Sequence, residues 1–402
     1  DLRGVPSSVL EALQGAARAL GISRLALVGG VVRDQLLHQR YGRAWSGVPD
    51  LDWVVEGDAA PLVEELNRQL GSERISGVQE HGAFGTVAFQ LDGIPLDLAT
   101  ARQEHYPAPA ENPVVQAGTL QADLARRDFT INAMALDLVA NELIDLHHGQ
   151  EDLASGQLRF LHVGSVQDDP TRVIRAARYA ARLGFQLAEE SSKQIRSTIQ
   201  EWPWDWRPGD AATVAPPALS TRLRMELERL LEREPWPQAL DLLEQWQALP
   251  LLDSQLQNDP WRTQRLHWAQ RLGLPLMSAL LLGAADPVAV AQRLQIPGKQ
   301  QQWLQQCREL RDWLVETPPP LEATPSIWST AIEQQGWPPE VVALAVTLKP
   351  KQWKPLLRWW GRWRRIQAPQ TARDLIAAGW QPGPAIGEEL RRQRSAAQDR
   401  SR

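Results

Sequence analysis

The stretch Leu27-Val28-Gly29-Gly30-Val31-Val32-Arg33-Asp34, followed after a linker by Pro49-Asp50-Leu51-Asp52-Trp53-Val54-Val55, decides how this chain is read. An apolar run ends in a glycine pair, with an arginine and an aspartate one helical turn behind. A glycine pair at a strand end lets backbone N–H groups approach phosphate with no Cβ in the way. By itself it is also an ordinary turn. The G-x-x-x-x-G-K-[ST] spacing is missing, so this is not a P-loop. Arg33 suits a phosphate or a carboxylate, and Asp34 suits fixing its geometry.

Asp50 and Asp52 carry more weight. Residues i and i+2 of a strand face the same way, so both carboxylates can converge on a pair of divalent ions. Two metals about 4 Å apart activate an attacking hydroxyl and stabilise leaving phosphate oxygens. A third carboxylate on an adjacent strand would complete the set, and Asp97 in Pro95-Leu96-Asp97-Leu98-Ala99-Thr100 is the candidate. The plain alternative for the Asp50–Asp52 pair is a solvated turn before a strand.

Two further clusters follow. Arg126-Arg127-Asp128-Phe129-Thr130-Ile131-Asn132 places dense polarity before an apolar helical start. Adjacent arginines cannot share one helix face, so one suits a triphosphate and the other a base or Asp128, with Asn132 available for sugar or backbone. Asp168 and Asp169 precede a helix over Pro170–Leu183 that carries Arg172, Arg175 and Arg178. Asp169 and Arg172 are three apart, on neighbouring positions of a turn. A carboxylate and a guanidinium held there can read the Watson–Crick edge of a base, because Arg only donates and Asp only accepts. A helix cap with a solvated basic face is the alternative.

Periodicity places helices over residues 10–20, 31–38 and 61–70, with Ser7 or Ser8 as the first cap, and strands over 22–28, 51–55, 84–90 and 94–99. Leu91-Asp92-Gly93 reads as a hairpin turn. This is an α/β region with a small mixed sheet, not a doubly wound one. Tyr106–Gly118 reads as a mobile Pro-rich loop. Beyond about residue 150 strand signals fade, and helices interrupted by Pro and Gly are expected to the end. Residues 201–218 form a Pro/Trp connector.

The chain has 402 residues, so two or more structural units are expected. Net charge is −5, yet residues 349–402 hold 13 Lys and Arg against 4 Asp and Glu. The basic end leaves the rest of the chain more acidic than the average suggests, so the distribution matters more than the total. Cys307, the single cysteine, leaves no disulfide framework and no Cys-based zinc site. No apolar run is long enough to span a bilayer. The start Asp1-Leu2-Arg3-Gly4-Val5-Pro6 lacks a secretory pattern, so a cytoplasmic location is expected. Of the 18 tryptophans, those at 202–206 and 359–363 are clustered. Trp stacks on bases but more often fills space between helices. The seven histidines form no metal constellation.

These clusters together resemble the class II tRNA nucleotidyltransferase and bacterial poly(A) polymerase family, within the DNA-polymerase-β-like superfamily. Leu27–Asp34 and Asp50-Leu51-Asp52 resemble its catalytic motif. Leu124-Ala125-Arg126-Arg127-Asp128-Phe129-Thr130-Ile131-Asn132-Ala133 resembles its second, and residues 168–185 the base-selecting one. Ser220–Leu227 and residues 373–390 resemble the next helix and the tail motif. The resemblance implies an α+β polymerase-β-like head with a small mixed sheet, followed by an all-helical neck, body and tail. The expected boundaries are a head over 1–145, a neck over 146–235, a body over 236–345 and a basic, tRNA-binding tail over 346–402. It implies Mg²⁺ on Asp50 and Asp52, with Asp97 as a further catalytic carboxylate. Gly29, Gly30, Arg33, Arg127, Asp128, Asn132, Asp168, Asp169, Arg172, Arg175 and Arg178 become nucleotide-binding candidates. Lys349, Lys351, Lys354, Arg358, Arg362, Arg364 and Arg365 become tRNA-binding candidates. The implied partners are tRNA and CTP, with ATP if the enzyme also adds A. The implied assembly is a monomer or homodimer with no membrane association.

The chain departs from the family pattern in two places. Asp168 stands where the family often has Glu, one methylene longer. The 106–118 loop is uncharged apart from Glu111, whereas several full CCA-adding members carry Asp and Arg there. CC-only, full CCA, A-only and poly(A) addition therefore all stay open. Outside this reaction class stand a non-catalytic RNA-binding protein on an inactive head and nucleotidyl transfer to a small molecule or protein. The intact carboxylate pair argues against the first. The long helical half with its basic end argues against the second.

Overall fold

A computed structural model describes residues 2–45, 50–81, 85–210 and 213–401. Its contacts divide the chain into two units. One holds residues 1–205, 216–222 and 234–248, and the other holds 206–215, 223–233 and 249–402.

The first unit is built on a seven-stranded sheet. Its strands are β1 (Leu25–Val28), β2 (Leu51–Val55), β3 (Ile75–His81), β4 (Thr86–Leu91), β5 (Ile94–Thr100), β8 (Met134–Asp137) and β9 (Glu142–Asp145). Two more, β6 (Arg102–His105) and β7 (Val114–Ala117), pair as a separate ribbon. The sheet order is β3-β4-β5-β2-β1-β8-β9. Only β2 and β5 run parallel within it, so the sheet is mixed as expected. Asp92 and Gly93, at φ 52° and 78°, form the two-residue turn between β4 and β5. Two consecutive positive φ values are what a type I′ hairpin requires.

Helices α1 (Ser7–Ala19), α2 (Gly30–Tyr41) and α3 (Ala59–Leu70) accompany the sheet, with α2 against β1 and β8 and α3 against β3, β4 and β5. α1 follows Pro6 and has no side-chain cap, so the predicted serine cap does not form. Ala26, Val28, Val54 and Ala135 join Leu120 and Leu124 of α4 (Leu120–Ala125) in one buried cluster. Asp52 lies two residues before Val54 and so shares that sheet face. The chain leaving α4 therefore runs directly past it, which delivers Arg126 and Arg127.

The remaining helices of this unit are α5 (Gly149–Ser155), α6 (Ser165–Asp168), α7 (Thr171–Leu183), α8 (Glu189–Glu201), the start of α9 (Pro217–Arg233) and α10 (Trp236–Gln245). Two-residue strands β10 (Gln157–Leu158) and β11 (Gln186–Leu187) pair in parallel between them. α7 buries Val173, Ile174, Ala176, Ala177 and Ala180 and packs on α10. Of its arginines Arg172 is buried, Arg175 and Arg178 are half-buried and Arg182 is exposed.

Three further sequence readings are corrected, and one lies outside the described residues. β3 was missed because Gly77, at φ 65°, breaks its alternation, and its pairing shifts register between Ser76 and Gln79. The 106–118 stretch is not all loop, since Val114–Ala117 pairs with β6 and leaves 106–113 as the connection. The apolar segment after Asn132 is strand β8, preceded by a 3₁₀ turn over Thr130–Asn132, not a helix. The predicted start of β4 at Phe84 lies outside the described residues; the strand begins at Thr86.

The second unit is helical. It contains the rest of α9 and α11 (Arg262–Arg271), α12 (Leu276–Leu281), α13 (Pro287–Arg293), α14 (Gly298–Glu316), α15 (Pro325–Gln334), α16 (Pro339–Thr347), α17 (Trp353–Gly361), α18 (Ala372–Ala377) and α19 (Pro384–Asp399). α16 is buried almost throughout and contacts α11, α14 and α17. Cys307 is buried in α14, and that burial pushes its thiol up to about 12. Most of the clustered tryptophans act as filler, whereas Trp261 and Trp380 are exposed. Trp204 meets Trp202 edge-on at 5.1 Å and donates to the Gln167 carbonyl, while Trp359 and Trp363 are buried. No described helix is long and apolar enough to cross a membrane.

Candidate functional site

β1 ends at Val28, and Gly29 turns the chain into α2 with φ 78° and ψ −137°. That backbone conformation is open only to glycine. A Cβ here would also lie 3.0 Å from Arg127 Nη1 and 4.0 Å from Asp52 Oδ2. Gly29 is thus the point where backbone, guanidinium and carboxylate converge.

Asp52 is the one exposed residue of an otherwise buried β2. The parallel pairing sets it beside Asp97 of β5. Although its surface is open to the cleft, the surrounding protein keeps water from much of the carboxyl, and that desolvation pushes it up from the ordinary value; Arg127 pulls it down, and Asp97 and Asp50 push it up again. The net shift is upward, so Arg127 offsets only part of the rise. Among the described residues no three acidic, His or Cys groups converge closely enough to hold a metal. Asp52, paired beside Asp97 and within electrostatic reach of Asp50, presents hard carboxylate oxygens, so the donor chemistry is of the kind a divalent cation takes.

The two arginines after α4 have separate partners. Arg126 pairs with Asp123 at 2.7 Å and with Glu104 at 2.9 Å. Arg127 donates to the other Asp123 oxygen at 3.0 Å. Asp123 is 1% exposed. Its burial alone would raise its pKa, but Arg127 and Arg126 outweigh that and hold it below the usual carboxylate range. Asp123 therefore orients both guanidiniums, and Arg127 extends towards Gly29 and Asp52.

Asp128 is buried, accepts from the Phe129 amide at 2.8 Å and from Asn132 Nδ2 at 3.1 Å, and pairs with Arg175 at 2.7 Å. Against the upward push of burial, these partners and Arg172 keep it ionised. Asp169 accepts from the Thr171 amide and hydroxyl at 3.1 and 2.6 Å and thereby starts α7. Arg172 donates to the carbonyls of Ser165 at 3.3 Å and Arg126 at 3.1 Å.

These groups line one cleft of about 290 Å³. From the sequence reading it contains Gly29, Gly30, Asp52, Arg126, Arg127, Asp128, Asn132, Asp169, Arg172 and Arg175. Glu104, Tyr106 and Tyr179 also line it. Its walls are polar, with four arginines facing four carboxylates, a mix that suits a phosphate-bearing ligand and a cation together.

Some predicted residues stand elsewhere. Arg33 is 4% exposed, donates to Asp34 at 2.8 Å and Asn132 at 2.7 Å, and lies over the Tyr179 ring at 5.1 Å. It takes the carboxylate option and positions Asn132. Asp168 lines a neighbouring cleft of about 490 Å³ with His162, so successive aspartates face different spaces. Arg178 pairs with Glu234 at 3.1 Å. Asp50 and Asp97 do not line the first cleft, although both act on Asp52.

The sequence reading missed Asp123, Glu104, Tyr106 and Tyr179. Asp123 carried a usable signal, because an acidic residue three and four positions before two arginines pairs on a helix. Tyr106 and Glu104 had none, since only the β6–β7 ribbon brings them here.

In the second unit, Lys351, Lys354 and Arg358 line a groove of about 560 Å³ with Trp328, Trp353 and Trp363. Lys349, Arg362 and Arg365 are exposed outside that lining, and Arg364 donates to the Trp360 carbonyl at 2.6 Å.

Residues 25–159 match the family described as the poly(A) polymerase head domain. The CC-adding tRNA nucleotidyltransferase of Deinococcus radiodurans is 34% identical over 387 residues, which covers 92% of this chain and 83% of that one. The A-adding tRNA nucleotidyltransferase of Aquifex aeolicus is 41% identical over 179 residues, 44% of this chain and only 20% of that one. An apo CCA-adding enzyme structure superposes with a TM-score of 0.73 at 25% identity, covering 98% of this chain and 93% of the other.

Proposed function

Because the chain belongs to the tRNA nucleotidyltransferase and poly(A) polymerase family, we propose that it adds CMP from CTP to the 3′ end of tRNA. One observation carries this reading: Asp52, the Gly29 turn, Arg127 and the Asp169–Arg172 pair share a single cleft. The full-length similarity to a CC-adding enzyme favours CMP as the nucleotide. The full-length superposition on a CCA-adding enzyme favours a second reading in which AMP from ATP follows.

In the proposed reaction the terminal ribose hydroxyl oxygen bonds to the α-phosphorus. The bond from that phosphorus to the bridging oxygen breaks, pyrophosphate leaves and the hydroxyl proton is released. Nucleotidyltransferases of this family generally require a divalent metal. Asp50 and Asp52, with Asp97 beside them, would hold Mg²⁺, which when bound would supply Lewis-acid polarisation of the hydroxyl and charge for the leaving group. Gly29 admits phosphate oxygens close to the backbone, and Arg127 faces them. Asp128, fixed by Asn132 and Arg175, suits the ribose hydroxyls. Asp169 accepts from the cytosine amine while Arg172 donates to its ring nitrogen and carbonyl.

Residues 1–145 would form the head, 146–235 the neck, 236–345 the body and 346–402 the tail of a cytoplasmic enzyme. The tail's basic groove suits tRNA backbone phosphates, since structured RNA is read mainly by shape and charge. The combined Lys351→Glu, Lys354→Glu and Arg358→Glu variant is expected to weaken tRNA binding about 10-fold or more. The salt dependence of log K should flatten by roughly one to three. Filter binding at several salt concentrations checks this, and an unchanged slope removes the groove from the tRNA site.

The assignment is tested with tRNAs ending at the discriminator base, in C-C and in C-C-A. CTP and ATP are supplied separately and together with Mg²⁺. Extension of the first substrate by two residues with CTP is expected. Growth of the C-C substrate with ATP would establish full CCA addition. No extension of any substrate would refute the proposal.

A further inference from the structure

We infer that Tyr106 is the aromatic face on which the incoming base lies while Asp169 and Arg172 read its edge. The inference rests on the nucleotide-transfer reading and adds a residue to it.

Reading a base by its edge requires the ring to be held in plane, or the two polar partners lose alignment. Of the two aromatic side chains lining the first cleft, Tyr179 is already committed. Its ring has the Arg33 guanidinium at 5.1 Å and the Arg182 guanidinium at 4.7 Å, and meets Phe129 edge-on at 5.6 Å. Tyr106 has no stacked ring or guanidinium among the described residues. It also stands where two clefts meet, since it lines the first, of about 290 Å³, and the second, of about 490 Å³. The other residues shared by both are Glu104, Arg126 and Arg172. Glu104 and Arg126 pair at 2.9 Å, and Arg172 is held by two backbone carbonyls.

Tyr106 is tied to the edge-reading pair by its own loop. Asn112 in that loop accepts from Arg222 Nη1 at 2.7 Å, and Arg222 Nη2 lies 3.9 Å from Asp169 Oδ1. One guanidinium therefore spans from the segment carrying Tyr106 to the carboxylate that reads the base. The Tyr106 hydroxyl lies within electrostatic reach of Arg172, Asp169 and Arg222, and burial pushes its pKa up, which keeps it a neutral donor. The residue thus lines the cleft with an unstacked ring, and its hydroxyl is within electrostatic reach of Asp169 and Arg172.

Base–aromatic stacking is strong enough to be measured by substitution and is tolerant of base identity. The test is equilibrium dialysis of CTP with the full chain, together with KM and kcat for CMP addition. Tyr106→Leu, which fills volume without an aromatic face, should raise the CTP Kd and KM about 10-fold. ATP binding should weaken in parallel. Tyr106→Phe and Tyr106→Trp should rescue CTP affinity, because both restore a ring. A merely structural role predicts no such split between Leu and the aromatic variants. Wild-type CTP affinity in Tyr106→Leu overturns the inference. So does failure of both rings to rescue. If Tyr106→Leu does not fold, Tyr106→Gln replaces it, with the same two outcomes. Loss of CTP affinity in a protein that extends no tRNA would refute the transfer reading alone.

Discussion

Asp52→Ala is expected to reduce CMP addition by at least about 10³-fold, on the order of 4 kcal/mol of transition-state stabilisation, while leaving the fold intact. The two effects have separate causes. Asp52 is the exposed position on a strand whose other four residues are buried, so its side chain contributes little to packing. Its carboxyl is pushed up by burial and by Asp97 and Asp50, with Arg127 offsetting only part. A group whose ionised form is disfavoured in the folded state costs stability at neutral pH. Its removal should therefore leave the melting temperature of the metal-free protein unchanged or slightly higher. Activity loss with undiminished stability is the signature of a residue held for chemistry. Asp97→Ala should show the same pattern with a smaller loss, since Asp97 flanks the cleft without lining it. Primer extension with tRNA lacking its terminal nucleotides, alongside thermal melts without divalent metal, checks both halves. Transfer within 10-fold of wild type in Asp52→Ala would remove it from the catalytic centre.

The legibility of this site follows from the distance over which each residue acts. Gly29 and Asp52 stand out because their placement depends on local backbone, a turn and a strand, which sequence spacing encodes; Asp50 lies just before β2 and outside the cleft. The Asp169–Arg172 pair was legible for the same reason, as one helical turn. Arg33 was ambiguous because its partner is set by burial: in solvent it would suit a phosphate, but at 4% exposure it is saturated by Asp34 and Asn132. Asp168 looked equivalent to Asp169 in the sequence. The end of α6 separates them, because Asp169 turns back to cap α7 while Asp168 faces His162. The β6–β7 ribbon was hidden because its two strands are only four residues each, one of them wholly polar, with prolines and small residues between them, and Glu104 and Tyr106 were hidden with it. The fold class survived these misses because it rests on long segments. β1, β2, α3 and α7 are each specified by several apolar residues, so shifted boundaries do not move the core.

Asp123→Ala should be the most destabilising single change at the site, costing about 3 kcal/mol or more. The carboxylate is 1% exposed and takes both Arg126 and Arg127, whose side chains are 20% and 17% exposed. Removing one partner of a buried ion pair leaves the other charge without compensation, which typically costs about 3–5 kcal/mol. Here two guanidiniums are left at once, although Arg126 keeps Glu104 at 2.9 Å. For a unit of this size the melting temperature should fall by roughly 5–10 °C. The pH dependence has a defined sign. Arg127 and Arg126 hold the Asp123 pKa below its ordinary value despite burial. Its contribution is therefore fully present above the unfolded carboxylate pKa, about 3.9, and is lost as pH falls through the folded one. The gap between wild type and Asp123→Ala should be constant from neutral pH to about pH 5 and should narrow below about pH 4. Function should suffer beyond stability. Arg127 loses the anchor that directs it to Gly29, and Asp52 is the nearest remaining carboxylate that acts on it. A collapsed Arg127–Asp52 pair would block both the proposed phosphate position and the carboxylate proposed to hold metal, so kcat should fall even well below the melting temperature. Asp123→Asn separates the two contributions, since it keeps an acceptor for one guanidinium without the charge and should recover part of the stability but little of the rate. A melting temperature within 2 °C of wild type in Asp123→Ala, in urea-free buffer at pH 7, would show that the two arginines are held by other contacts.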